Sequence, residues 1–146
     1  MTFPSGQVSK LAVATHQLNV AIRLFLDGDY LASLTLAGAA EEILGRLSER
    51  AGHPVATDAI IDFHWKDTDP VRSDRDRRKI LLDILNGARN QAKHANNPDE
   101  THFSVEQVHP LQMIMRAMPM ARRLGASFAN EAEMVHWVRT HPEALK

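Results

Sequence analysis

Apolar residues recur along this chain mainly at the three- and four-residue spacing of an α-helix, without the alternation typical of a β-strand. The segment YLASLTLAGAAEEILGRLSER shows the pattern well. At about 100° per residue, one broad face collects Leu36, Ala37, Ala40, Ile43, Leu44 and Leu47. The pattern predicts a helix from Tyr30 to Arg50, with Asp29 as its N-cap and Gly52 ending it. Glu42 should lie in solvent opposite the apolar face, and Glu41 at its edge.

Three other segments carry a long helical pattern: from about Ser5 to Leu26, from Asp74 to about Ala95, and from near Ser104 to Gly125. Ser73 is a suitable N-cap for the second, and Pro119 is expected to kink or split the third. The second has an apolar face made of Ile80, Leu81, Ile84, Leu85, Ala88, Ala92 and Ala95. The four methionines in LQMIMRAMPMARRL are expected to fill gaps in the core.

The predicted fold is therefore all-α, a four-helix bundle with short extra helices. The short elements are a helix in TDAIIDFHWKD and another in EAEMVHWVR, the latter capped by Asn130. A chain of 146 residues is long enough for one domain with a substantial core. We expect a single domain over residues 1–146, with the bundle at about 5–125 and a short helix and tail at 126–146.

Composition narrows the classes of function. Hydrophobic residues make up 44% of the chain and charged residues 24%, and the net charge is −1. This balance predicts no bulk affinity for nucleic acid, so any such contact needs a local patch. The chain has no cysteine, which excludes disulfides and thiolate chemistry. Without a signal-peptide pattern or a long apolar run, we expect a cytoplasmic protein with no membrane contact.

The stretch GARNQAKHA, at the end of the helix that starts at Asp74, brings together Arg89, Asn90 and His94. Basic side chains in a last helical turn commonly just complement the helix dipole. On an ideal helix, Arg89 and His94 would lie about 140° apart. Their convergence on one ligand would need a distorted helix end or a second copy of the chain.

ARNQAKHA, at a helix end within an all-helical chain, resembles the motif of the HEPN superfamily. In that motif an arginine is usually followed by a polar residue, and a histidine comes four to six residues after the arginine. Arg89, Asn90 and His94 match the three positions, and the helix containing LASLTLAGAAEEILGRL is similar to a small-residue, acidic helix of such proteins. As architecture, the resemblance covers about residues 14–124.

The resemblance implies a homodimer with facing motifs and metal-independent RNA cleavage, without a cofactor, as in the toxin or defence component of a bacterial module. His94 would be the acid/base, Arg89 the phosphate stabiliser and Asn90 the positioner. Imidazole accepts protons near neutral pH, and a guanidinium can grip two phosphoryl oxygens. An antitoxin protein would then be a further partner.

Three further groups of residues each have two possible roles. Lys93, Arg77 and Arg78 are candidate RNA-binding residues, although a charge run is often only a solvated helix face. Leu82, Leu85 and Arg89 lie at i, i+3 and i+7, which suits either a two-fold interface or a broadened core. Glu41 could pair with Arg89 or assist catalysis.

Two other classes of function compete with the nuclease. One is a non-catalytic helical module that binds a protein or a nucleotide, with Arg89 and His94 at its dimer interface. The other is a metal-dependent bundle enzyme, which the eight histidines suggest because histidine is a common metal ligand. Because the chain has neither an HExxH motif nor a repeated Glu-x-x-His motif, we expect no metal site.

Overall fold

A computed structural model describes residues 6–145. Within that range the chain forms six α-helices and no β-strand, so the prediction of an all-α fold is confirmed. The helices are α1 (Lys10–Leu26), α2 (Tyr30–Arg50), α3 (Ala56–His64), α4 (Asp74–Lys93), α5 (Val108–Arg123) and α6 (Glu131–Thr140), with 3₁₀ turns at Trp65–Asp67 and Pro142–Leu145. A bilayer-spanning helix does not occur in residues 6–145.

The helix boundaries differ modestly from those expected. α1 begins at Lys10, whereas its predicted start at Ser5 lies outside the described residues. α4 ends at Lys93, slightly before the predicted end. α5 begins at Val108 and runs unbroken through Pro119, so no split occurs there. A proline removes one backbone donor from a helix, and here its neighbours on both sides are buried in the core and hold the helix in place.

Side-chain caps begin α2 and α4 as predicted. Asp29 and Ser73 each accept a backbone N–H from the first turn of the helix that follows, at 3.1 and 3.2 Å. Asn130 precedes α6 but does not cap it with its side chain. Instead, its Nδ2 donates to the carbonyl oxygen of Asn19 at 3.0 Å, and its backbone N–H donates to Asn19 Oδ1 at 2.9 Å. Asn130 therefore ties the start of α6 to α1.

The core lies between α1, α2 and α5, with α6 closing one side. Its fully buried side chains include Leu18, Ile22, Leu44, Ile114 and Met134. Three of the four methionines in the α5 segment are buried, as expected of gap-filling residues.

The buried face of α2 is rotated about the helix axis relative to the face expected from its apolar residues. It includes Leu34, Gly38 and Glu41 as well as two serines. The centre of this face lies roughly 75° around the helix from the predicted centre. Glu41 is consequently buried, at 3% exposed, rather than at the edge of the core. The partners described below account for this burial.

The predicted core face of α4 is correct only in part. No residue of α4 is fully buried, and Ile80 and Ile84 are 40% and 71% exposed. Other members of the predicted face are partly buried, and Ala88 and Ala92 pack against the core. Because α4 lies against the outside of α2, only part of its apolar stripe reaches the core, and the rest faces solvent.

The orientation of α2 can be tested with two leucines one turn apart. Leu34 is fully buried, whereas Leu31 is 48% exposed. Leu34→Ala should lower the free energy of unfolding by about 2–5 kcal/mol, because it leaves a cavity in the core. Leu31→Ala should cost less than about 1 kcal/mol. Urea denaturation of both variants measures the difference, and equal losses would contradict the orientation of the helix.

Candidate functional site

Glu41 of α2 lies between two arginines from different helices. Its Oε2 accepts from Arg89 Nη1 of α4 at 3.2 Å, and its Oε1 accepts from Arg116 Nη2 of α5 at 2.9 Å. The three side chains are only 4%, 12% and 6% exposed. We call Glu41, Arg89 and Arg116 the Glu41 cluster. The expected Glu41–Arg89 pair is present, within a larger buried network.

Arg116 extends this network to the backbone of α4. Its Nη1 donates to the carbonyl oxygen of Leu85 at 3.1 Å, and its Nη2 also donates to Asn86 Oδ1 at 3.0 Å. Among the described residues, the Nε atoms of Arg89 and Arg116 are buried without a hydrogen-bond partner. One carboxylate therefore faces two guanidinium groups, and the cluster carries a net positive charge.

A cavity of about 420 Å³ opens beside the Glu41 cluster. Its wall includes the carboxylates of Glu42, Glu49 and Asp58, which offset the positive charge of the arginines. Arg78 and Leu82 also line it. Four acidic and four basic residues line this cavity, so its formal charge is balanced.

Arg89 reaches Glu41 by crossing Gly38 of α2. A Cβ atom added at Gly38 would lie 2.5 Å from Arg89 Cγ and 2.6 Å from Cδ. The arginine stem thus occupies the space that any other residue at position 38 would fill. Close approach of α4 to α2 depends on this glycine.

His94 lies just beyond the last turn of α4, as its C-cap residue, in an extended conformation with φ −129° and ψ 148°. Its backbone N–H donates to the carbonyl oxygen of Asn90 at 3.0 Å. His94 and Asn90 are both exposed. The histidine lines a second cavity, of about 340 Å³, together with Lys93, Glu100 and His102.

The structure therefore separates the residues of the motif within one chain. Arg89 points toward α2 and lines the cavity beside the Glu41 cluster, whereas His94 lines the cavity at the end of α4. His94 lies beyond the end of α4 in an extended conformation, so the direction of its side chain does not follow the helical angle expected from the sequence. Asn90 lies on the solvent side of α4.

The three candidate RNA-binding residues all have partners. Arg77 is mostly buried: its Nε donates to Thr68 Oγ1 at 2.6 Å, and its guanidinium stacks on the ring of Trp65 at 4.3 Å. Arg78 and Lys93 are about half exposed and pair with carboxylates of α3 and α2 at 2.7 and 3.4 Å. Arg77 thus anchors α4 to the segment before it, while Arg78 and Lys93 remain accessible.

Lys79 is another basic residue of α4 with a carboxylate partner. Asp83 accepts a hydrogen bond from Lys79 Nζ at 2.8 Å, and this bond together with the negative charge of Asp83 raises the pKa of Lys79 above its usual value. Since α4 alternates charges in this way, its basic run does not form a continuous positive stripe.

Sequence reasoning missed two residues of these sites. Arg116 stands alone among apolar residues in LQMIMRAMPM, which is a signal for a buried cation that needs a carboxylate partner. His102 gave no comparable signal, because it joins the cavity with His94 only through the fold of the loop between α4 and α5.

No group of three or more histidine, aspartate and glutamate side chains within residues 6–145 is arranged to hold a metal ion. Comparison of the chain with models of protein families, with curated proteins and with solved structures gave no match.

Two helical glycines of α2 test the contact between Gly38 and Arg89. Gly45→Ala should raise the free energy of unfolding by about 1 kcal/mol through helix propensity, since a Cβ there makes only an ordinary contact at 3.7 Å. Gly38→Ala should instead lower it by about 1–3 kcal/mol, because the Arg89 stem must move. Chemical denaturation measures both changes.

An Arg89→Ala background serves as the control. In that background Gly38→Ala should become stabilising, because the clash is gone. A Gly38→Ala variant as stable as Gly45→Ala would contradict the packing of Arg89 across α2.

Proposed function

We propose that this chain is a HEPN-like endoribonuclease that cleaves RNA without a metal ion and acts as a homodimer. One observation carries the proposal: His94 is exposed at the end of α4 and lines an open cavity together with a lysine and a second histidine. An imidazole beside a cationic side chain, both within reach of solvent, is the minimum that phosphodiester cleavage requires.

The reaction would use the RNA's own 2′-hydroxyl as its nucleophile. His94 would accept the 2′-proton while the 2′-oxygen attacks the adjacent phosphorus. Lys93, which lines the same cavity, would attract the phosphate. Asn90, one turn before His94, would position the phosphate or the imidazole through its amide. No metal is needed, because cationic side chains can balance the charge that develops on the phosphoryl oxygens.

Arg89 would act as the phosphate stabiliser from the other subunit. Within one chain it faces Glu41, so only a second copy could bring an Arg89 toward a given His94. Glu41 would then support catalysis indirectly, since it holds the guanidinium through Nη1 at 3.2 Å and leaves Nη2 to bind a phosphoryl oxygen.

The distribution of exposed apolar side chains supports a dimer. Of the six large hydrophobic residues exposed in the described part of the chain, four lie between positions 63 and 84: Phe63, Val71, Ile80 and Ile84. Ile80 and Ile84 are four residues apart on α4, so these two exposed side chains share one face of the helix, and such an apolar face is typical of an interaction surface. The surface proposed for the dimer therefore centres on Ile80 and Ile84, rather than on Leu82 and Leu85, which are partly buried.

A second candidate is the non-catalytic helical module, which the burial of Arg89 favours. Its side chain is 12% exposed and bonded to Glu41, as expected of an arginine that holds α4 in place. In that case the motif would serve the structure of α4, and the exposed apolar surface would bind a partner protein.

Cleavage of RNA in the presence of EDTA distinguishes the two functions. We expect the wild-type protein to cleave single-stranded RNA to products ending in a 2′,3′-cyclic phosphate. His94→Ala should reduce the rate by about 10²–10⁴-fold, the usual contribution of a general acid or base. His53→Ala is the matched control, because His53 is also exposed and follows a helix end. If wild-type protein leaves RNA intact, the non-catalytic module is favoured.

The dimer surface can be tested separately from cleavage. Ile84→Glu places a charge at a side chain that is 71% exposed in the single chain, so it should leave the fold intact but weaken a dimer at least tenfold. Leu31→Glu, at a 48% exposed position on α2, is the control. Sedimentation equilibrium gives the masses, and an unchanged dimer in Ile84→Glu would rule out this surface.

A further inference from the structure

The loop between α4 and α5 turns back toward the end of α4. Asn97 makes the turn: its side-chain Oδ1 accepts the backbone N–H of Asp99 at 3.0 Å, and its carbonyl oxygen accepts that of Glu100 at 3.0 Å. Beyond the turn, Phe103 and Val105 pack against the hydrophobic core. The loop is thus fixed at both ends, by α4 and by these two apolar residues.

This fold of the loop brings His102 to the cavity that His94 lines. The cavity measures about 340 Å³, which is within the range of sites that take small ligands or a nucleotide. Its titratable groups are Lys93, His94, Glu100 and His102, so two imidazoles of one chain face the same space.

The ring of His102 has one nitrogen engaged and one available. Its Nδ1 lies 2.8 Å from the hydroxyl oxygen of Thr101. When the imidazole is protonated, this hydroxyl can accept the Nδ1 proton, and the Nε2–H then remains to donate to a ligand. A histidine held in this way is suited to act as a proton donor.

We propose that His102 is a second catalytic residue, the general acid that protonates the leaving oxygen of RNA, while His94 of the same chain acts as general base. This inference rests on the proposed ribonuclease function and specifies its site. His94 takes the proton from the 2′-oxygen, which forms a bond to phosphorus. The bond between phosphorus and the 5′-oxygen breaks, and the 5′-oxygen receives the Nε2 proton of His102.

Two histidines on one cavity provide both the proton acceptor and the proton donor that the reaction requires. In a single displacement step, one proton must leave the nucleophile and another must reach the leaving group. One imidazole cannot accept and donate at the same moment, whereas two imidazoles on one cavity can. The products are a 2′,3′-cyclic phosphate and a free 5′-hydroxyl; at the end His94 carries the proton of the 2′-hydroxyl, and the proton lost by His102 is on the 5′-hydroxyl.

A substrate with a modified leaving group tests the role of His102. In a 5′-phosphorothiolate dinucleotide, sulfur replaces the bridging 5′-oxygen and leaves as a thiolate without needing a proton. On the oxygen substrate, His102→Ala should cleave about 10²–10⁴-fold more slowly than wild type. On the sulfur substrate, its rate should return to within about tenfold of wild type. His94→Ala should stay slow on both substrates, because its proton acceptor is still missing.

The outcomes separate this inference from the proposed function. Wild-type protein that cleaves neither substrate overturns both. Active wild-type protein with an unaffected His102→Ala overturns the inference alone. So does a His102→Ala that is equally slow on both substrates, since that pattern indicates a structural role. His53→Ala should match wild type on both substrates, and thermal denaturation verifies that each variant is folded.

Discussion

The attachment of α4 to the rest of the molecule depends on the carboxylate of Glu41. α1, α2 and α5 bury a continuous apolar core, but α4 contributes none of its residues to the fully buried set. Ala88 and Ala92 of α4 pack against this core, and polar contacts add to that packing: Glu41 binds Arg89, and Arg116 bridges Glu41 to Leu85 and Asn86. A buried carboxylate between two guanidiniums is costly to desolvate, and losing it would leave two buried cations unpaired. The position of Arg89 in the motif follows from this cluster.

Much of the fold could be predicted from periodicity and caps. The span of α2 and the caps at Asp29 and Ser73 are as expected, because each depends on residues close in sequence. The orientation of α2 could not be predicted, because it is decided by Arg89 and Arg116, which come from distant helices. The apolar pattern predicts which face of a helix is buried, but a buried ion pair can turn the helix so that another face is buried. The peripheral position of α4 was missed for the same reason, since its apolar stripe resembles that of a core helix.

In the candidate site, too, some features depend on residues close in sequence and others on residues that are distant in sequence. Arg89 and His94 diverge because α4 ends at Lys93 and His94 continues in an extended conformation. The motif does not reveal the partners of either residue: His102 meets His94 only because Asn97 reverses the chain and Phe103 anchors the loop. Short-range geometry thus identifies candidate side chains, whereas long-range packing decides which of them share a cavity.

The polar attachment of α4 has a consequence for the energetics of the molecule. A helix with no fully buried residue contributes less than α1, α2 and α5 to the cooperative unit, so we expect it to open locally before that unit unfolds. The amides of α4 should therefore exchange with solvent deuterium through local opening, and ionic strength should tune that opening because charges hold the helix. The end of α4 that carries His94 would open together with the helix, and a ligand that binds there would lose part of its affinity to the cost of ordering it.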